Sequence, residues 1–110
     1  RSSTCFIANK KAMKDPEKRE KLNELATLFA SVIEARKRVL IEMNVSEDVF
    51  PRLIASLPCM QSPTVSPLYG SKGFAVKIAV LKSDAASVIT GLKKMGATDI
   101  LEYDMRKVLL

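Results

Sequence analysis

The hydrophobic periodicities along the chain predict an α+β domain with the ferredoxin-like order βαββαβ, preceded by one strand and one long helix. Three observations support this. Val39, Ile41, Met43 and Val45 alternate with Leu40, Glu42 and Asn44, the period of a strand with one buried face. Leu22, Leu25, Ala26, Phe29, Val32 and Ile33 recur at intervals of three and four, which is one stripe of an amphipathic helix. From Pro58 to Gly73 three prolines and two glycines punctuate the chain, leaving room only for a short strand at an edge.

Taken in order, Thr4 to Asn9 is a short apolar run between polar residues and reads as a strand. Asp15-Pro16-Glu17 then gives a helix start, with Asp15 as N-cap and Pro16 in the first turn. That helix runs to about Lys37 and reaches on the order of 33 Å at 1.5 Å per residue. A compact domain of about 100 residues has a radius of gyration near 13 Å, so the helix overhangs its own domain. The strand at 39–45 follows. Ser46-Glu47-Asp48 opens a second helix carrying Val49, Phe50, Leu53, Ile54 and Leu57, with Pro51 disturbing its first turn and Pro58 ending it. Gln61 to Leu68 belongs at an edge or in a loop because Pro63 and Pro67 cannot donate to a ladder. Tyr69 to Gly73 is a turn, and Phe74 to Leu81 is a strand with Phe74, Val76, Ile78 and Val80 on one face. Ser83 is read as the cap of a third helix bearing Val88, Ile89, Leu92 and Met95, which Gly96 stops. Thr98 to Asp104 is the last strand. Both helices of the βαββαβ unit cover one sheet face, so the other, which carries Leu40 and Asn44, must be solvated or covered by another subunit.

Composition narrows the function. The chain has 110 residues, 47% hydrophobic and 27% charged, enough for one small core. No apolar run approaches the roughly 20 residues that cross a bilayer, and Arg1 to Thr4 lacks a signal peptide's apolar stretch. The expectation is a cytoplasmic protein without membrane contact. Cys5 and Cys59 are too few for a disulfide framework or a zinc site and read as reduced thiols. The chain does not begin with methionine and reads as a piece of something longer. Its 18 basic and 12 acidic residues give a net charge of +6. The basic residues are dispersed, however, and Arg36, Lys37 and Arg38 suit the end of a helix. Tyr69, Tyr103 and the four phenylalanines are not interleaved with them as base-stacking surfaces require, so no nucleic-acid partner is expected.

No catalytic constellation stands out. The chain has no histidine, and its four glycines form neither a Walker loop nor a dinucleotide-binding fingerprint. Glu42, Asp99, Glu102 and Asp104 fall on strands and read as solvated positions rather than an acid–base pair. Ser62 and Thr64 read as turn residues with hydroxyls available, and Met43, Met60, Met95 and Met105 as packing. No catalytic residue and no metal ligand is assigned.

The run Leu57-Pro58-Cys59-Met60-Gln61-Ser62-Pro63-Thr64-Val65-Ser66-Pro67-Leu68, followed by Leu92-Lys93-Lys94-Met95-Gly96-Ala97-Thr98-Asp99-Ile100-Leu101, resembles the C-terminal regulatory domain of long-form ATP phosphoribosyltransferases. The resemblance covers essentially the whole chain. It implies that residues 1–37 are the end of a catalytic region, a strand plus the connecting helix, and residues 38–110 a histidine-binding regulatory domain similar to PII-type domains. It also implies a homo-oligomer, a hexamer in this family, with L-histidine as allosteric feedback inhibitor bound between subunits. The ligand-proximal positions carried over are Asn44, Met60, Ser62, Thr64, Val80 and Asp99. Two depart from the usual pattern: Asn44 stands where some members carry an aspartate, and Asp99 where a small residue is common.

By the same resemblance, the full enzyme condenses ATP with phosphoribosyl pyrophosphate in the first step of histidine biosynthesis. It uses Mg2+, and both substrates bind in a catalytic region upstream of Arg1. These residues alone are expected to be inactive and to need no cofactor. The alternative is a freestanding PII-like trimeric module for signalling or metal sensing. A ferredoxin-like RNA-binding domain fits less well, because Phe74 and Tyr103 lie at strand ends.

Overall fold

The computed structural model describes residues 2–57 and 62–110. In chain order the elements are α1 (Lys10–Lys14), α2 (Pro16–Arg36), β1 (Arg38–Ser46), α3 (Phe50–Ala55), β2 (Thr64–Pro67), β3 (Gly73–Leu81), α4 (Ala85–Met95) and β4 (Thr98–Asp104), with a 3₁₀ turn at Lys82–Asp84 before α4. From β1 onward this is the βαββαβ order, and the strands form one antiparallel sheet in the order β2-β3-β1-β4.

Alternation builds the core. Val39, Ile41, Met43 and Val45 of β1 are buried, and the pairing Val39–Val80, Ile41–Ile78 and Met43–Val76 puts three buried residues of β3 beside them on the same face. Leu53 from α3 and Ala85 and Leu92 from α4 complete the layer, with Phe50 stacked at a tilt on Phe74, centroids 4.4 Å apart. Burying a side chain such as Leu53 contributes about 1.5–3 kcal/mol. The proline-containing strand β2 is four residues long and sits at the sheet edge, where a missing N–H costs least. At the end of α4, Gly96 takes the left-handed φ of 105° and its N–H closes on the Leu92 and Lys93 carbonyls, a conformation that favours glycine.

Asp15 caps α2 as its chemistry demands, accepting from the N–H groups of Glu17 at 3.1 Å and Lys18 at 3.4 Å. At the other end Glu34 pairs with Lys37 and Arg38, each at 3.3 Å. These hydrogen bonds, Lys37 first and then Arg38, hold the Glu34 carboxyl below its ordinary value. Only Ser31 and Ala35 of the helix are buried, while Leu25, Leu28, Phe29 and Ile33 stay about half exposed. The molecule accordingly measures 62 × 35 × 19 Å with a radius of gyration of 19.4 Å, so the long helix does overhang the domain.

Three local expectations are corrected. Residues 4–9 do not form a strand; no ladder takes them up, and Phe6 instead packs edge-to-face on Phe29 with centroids 5.3 Å apart. Asn9 instead caps the short helix α1, accepting from Ala12 N–H at 2.7 Å. Ser83 caps no helix, because it lies inside the 3₁₀ turn and α4 starts at Ala85 without a side-chain cap. The helix expected from Ser46 begins only at Phe50, after a turn, and ends at Ala55, short of Leu57. The stop signal at Pro58 lies outside the described residues.

Candidate functional site

The helices cover one sheet face, so the side chains at alternate positions form the other. Register places Leu40, Glu42 and Asn44 of β1 opposite Ala79, Lys77 and Ala75 of β3, and Lys77 and Ala75 opposite Thr64 and Ser66 of β2. On the far side, Tyr103 and Leu101 of β4 stand opposite Leu40 and Glu42. At its centre the Tyr103 hydroxyl donates to Glu42 Oε2 at 2.9 Å, and Lys77 Nζ lies 3.9 Å from Glu42 Oε1. The hydrogen bond to Glu42 favours the neutral phenol, raising the ionisation of Tyr103 above its ordinary value. On this face Leu101 is 51% and Tyr103 42% exposed.

At one end the β1–β4 ladder is irregular. Glu42 pairs with Leu101 and Asn44 with Thr98, so β4 holds one residue more than β1 between the two pairs. The surplus is a β-bulge, in which Asp99 adopts the left-handed φ of 51°. Among residues with a side chain, Asp and Asn tolerate that region best. Asn44 Nδ2 donates to Asp99 Oδ2 at 3.1 Å. A carboxylate only accepts, so the amide nitrogen faces it and Asn44 Oδ1 remains an acceptor. The pair lines a cleft of about 570 Å³ whose other walls include Glu47, Asp48, Ser71, Lys72 and Gly73.

Of the six predicted site residues, Asn44 and Asp99 are therefore in contact. Thr64 shares their sheet face but lies on β2, two strands from β1, which is about 10 Å at the usual strand spacing. Ser62 lies two residues before that strand and is exposed. Met60 lies outside the described residues. Val80 is 4% exposed and pairs with Val39, its side chain on the helix-covered face opposite that of Asn44. The cleft residues Ser71 and Lys72 were not anticipated, because a turn between two strands signals only a change of direction. The Glu42–Lys77–Tyr103 group also escaped notice, since Glu42 taken alone reads as a solvated strand position.

Cys5 is an exposed free thiol, and Cys59 lies outside the described residues. Among the described residues no three His, Cys, Asp or Glu side chains gather to hold a metal ion. No helix among them is long and apolar enough to cross a membrane.

Comparison with known proteins is consistent with this geometry. Residues 35–107 match the family described as HisG, C-terminal domain. The chain is 42% identical over 108 residues to the ATP phosphoribosyltransferases of Pelotomaculum thermopropionicum and Desulfatibacillum aliphaticivorans, and 37% identical over 108 residues to that of Chlorobium phaeovibrioides. Each match covers 98% of this chain and 37% of the relative, so the chain spans little more than a third of the length of these proteins. With the matched segment taking in the whole sheet, both packed helices and the Asn44–Asp99 bulge, the chain belongs to the HisG C-terminal domain family.

Proposed function

We propose that this chain is the regulatory end of an ATP phosphoribosyltransferase acting in the first step of histidine biosynthesis. In this reading residues 1–37 close the catalytic region and 38–110 form the domain that binds L-histidine. The upstream region joins N1 of ATP to the anomeric carbon of phosphoribosyl pyrophosphate, and pyrophosphate leaves with the bonding electrons. Mg2+ offsets the charge on the phosphates there, and the setting is cytoplasmic.

The observation that carries the reading is the Asn44–Asp99 pair at the wall of a polar cleft. An α-amino acid needs acceptors for its ammonium and donors for its carboxylate. Asn44 and Asp99 supply the first, and Lys72 and Ser71 in the same cleft supply the second. The hydroxyls of Ser62 and Thr64 lie too far across the sheet to close on the same ligand within one chain. They serve a ligand seated on a neighbouring copy, which makes the site dependent on the homo-oligomer, a hexamer by the family resemblance. The exposed Leu101 and Tyr103 on the same sheet face suit such a contact. Inhibition then follows by population shift: histidine binds the inactive assembly more tightly and draws the equilibrium toward it.

Calorimetric titration of L-histidine into the full-length transferase tests this. Wild type should release heat, and Asn44→Ala and Thr64→Ala should each weaken binding by about tenfold, the effect of losing one good hydrogen bond. No heat with wild type, or equal affinity in all three proteins, would sink the proposed pocket.

A further inference from the structure

We infer that the segment after β4 is a strap that carries the effect of a ligand in the Asn44–Asp99 cleft to the long helix α2, and that inhibition depends on it. The inference deepens the histidine-inhibition reading and rests on it.

Of the two strands that meet at the cleft wall, only β4 is free to move. The ladder of β1 with β3 runs without interruption from Arg38–Leu81 to Ser46–Gly73, and Val39, Ile41, Met43 and Val45 are buried beneath it. Displacing β1 would open that core. By contrast, β4 is an edge strand bonded to β1 alone, its ladder is broken by the bulge, and only Ile100 among its residues is not exposed.

The two ends of β4 have different neighbours. Asp99 lies in the cleft wall, bonded to Asn44. Asp104, about 17 Å further along at the usual rise, pairs with Val39 at the start of β1 and lies 3.6 Å from Lys82 Nζ. The Lys82 N–H in turn donates at 2.7 Å to the carbonyl of Lys37, the C-cap of α2. Beyond Asp104 the chain turns along α2, where the Val108 N–H donates to the Ser31 carbonyl at 2.9 Å. Val108 is half-buried, while Leu109 is 64% and Leu110 82% exposed in a groove of about 290 Å³.

One hydrogen bond and one half-buried side chain make a weak hold, of the kind that opens at small free-energy cost. The strap, docked or released, is thus a two-state element that a shift of β4 biases from one side and α2 from the other. In the proposed reading α2 leads into the catalytic region, so the position of β4 reaches the chemistry through Ser31 as well as through the chain itself.

The test uses the full-length transferase as wild type, Val108→Pro and Val108→Ala. Calorimetry reads histidine binding, and the rate of phosphoribosyl-ATP formation reads inhibition. Proline removes the donor and alanine keeps it. Val108 lies outside the cleft, so both variants should keep the basal rate and bind histidine no more than about threefold more weakly than wild type. At saturating histidine Val108→Pro should retain at least about fivefold more activity than wild type, the lower end of allosteric couplings. Val108→Ala should be inhibited as wild type is. Amide exchange in the second half of α2 should respond to histidine in wild type and Val108→Ala but not in Val108→Pro. Full inhibition of Val108→Pro, or relief of inhibition equal in both variants, overturns the strap and leaves the pocket standing. Histidine binding lost in Val108→Pro also overturns it, since the tail then supports the pocket instead of coupling it to α2. Absence of histidine binding in wild type overturns the functional reading, and the strap falls with it.

Discussion

The backbone N–H of Val108 donates to the carbonyl oxygen of Ser31 at 2.9 Å, tying the segment after β4 to the C-terminal part of the long helix α2. Ser31 is one of only two buried residues of that helix, and its hydroxyl turns inward to the Leu28 carbonyl at 2.6 Å. Val108, Leu109 and Leu110 line a groove with Thr27, Ala30, Ser31 and Glu34. The helix is therefore fastened to the sheet domain at both ends of the βαββαβ unit, through Lys37 into β1 and through Val108 beyond β4.

Val108→Pro removes this donor without deleting the segment. Loss of one hydrogen bond costs about 1 kcal/mol. Amide exchange in the second half of α2 should accelerate by several-fold while β1 and β3 keep their protection. Unchanged exchange in α2 would mean that the tail does not restrain the helix.

Two glycine substitutions should act in opposite directions. A Cβ on Gly73 would meet the Val45 carbonyl oxygen at 2.8 Å, where β1 and β3 begin their pairing, so backbone has to shift. Gly73→Ala should destabilise by about 1–3 kcal/mol, as overpacking does. Gly91 lies within α4 and a Cβ there meets nothing within 4 Å, so Gly91→Ala should stabilise by about 0.5–1 kcal/mol. Urea midpoints of the two variants should bracket that of wild type.

Stability should respond to pH at both extremes. Glu34 titrates below its ordinary 4.5 in the fold. Its contribution is present above the unfolded value and fades as pH falls through the folded one, so Glu34→Gln should flatten the acid limb of the stability profile. Tyr103 titrates above its ordinary 10.0. Its contribution is present below the unfolded value and is lost as pH rises through the folded one, the alkaline counterpart. Glu42→Gln should bring the phenol's ionisation back toward the ordinary value, and ultraviolet difference spectra of the two proteins would read the change directly. Coincident titration curves would rule out the Glu42 hydrogen bond as its cause.

Most of the architecture could be read from the residues. The alternation at 39–45 matches burial position by position, the interval of three and four in α2 marks a real helix, and prolines at 63 and 67 correctly assign β2 to an edge. The strand expected at 4–9 failed because an apolar run becomes a strand only where another edge accepts its hydrogen bonds. Val80 shows a different limit. Its alternation with Val76 and Ile78 already assigned it to the core, and the family resemblance alone suggested a ligand role.

Local pattern determines β1, α2 and the sidedness of Asn44, because helix and strand periods are properties of neighbouring residues. Nothing local marks Asp99 as special. Its left-handed φ, its place in a bulge and its bond to Asn44 arise when β4 docks beside β1 one residue out of step. That register is a contest between distant strands, settled by burying Ile100 against the core on one side of β4 while Leu101 and Tyr103 face outward on the other. The family was therefore legible in the residues, whereas the pairing that brings an amide and a carboxylate to one cleft exists only once the sheet has formed.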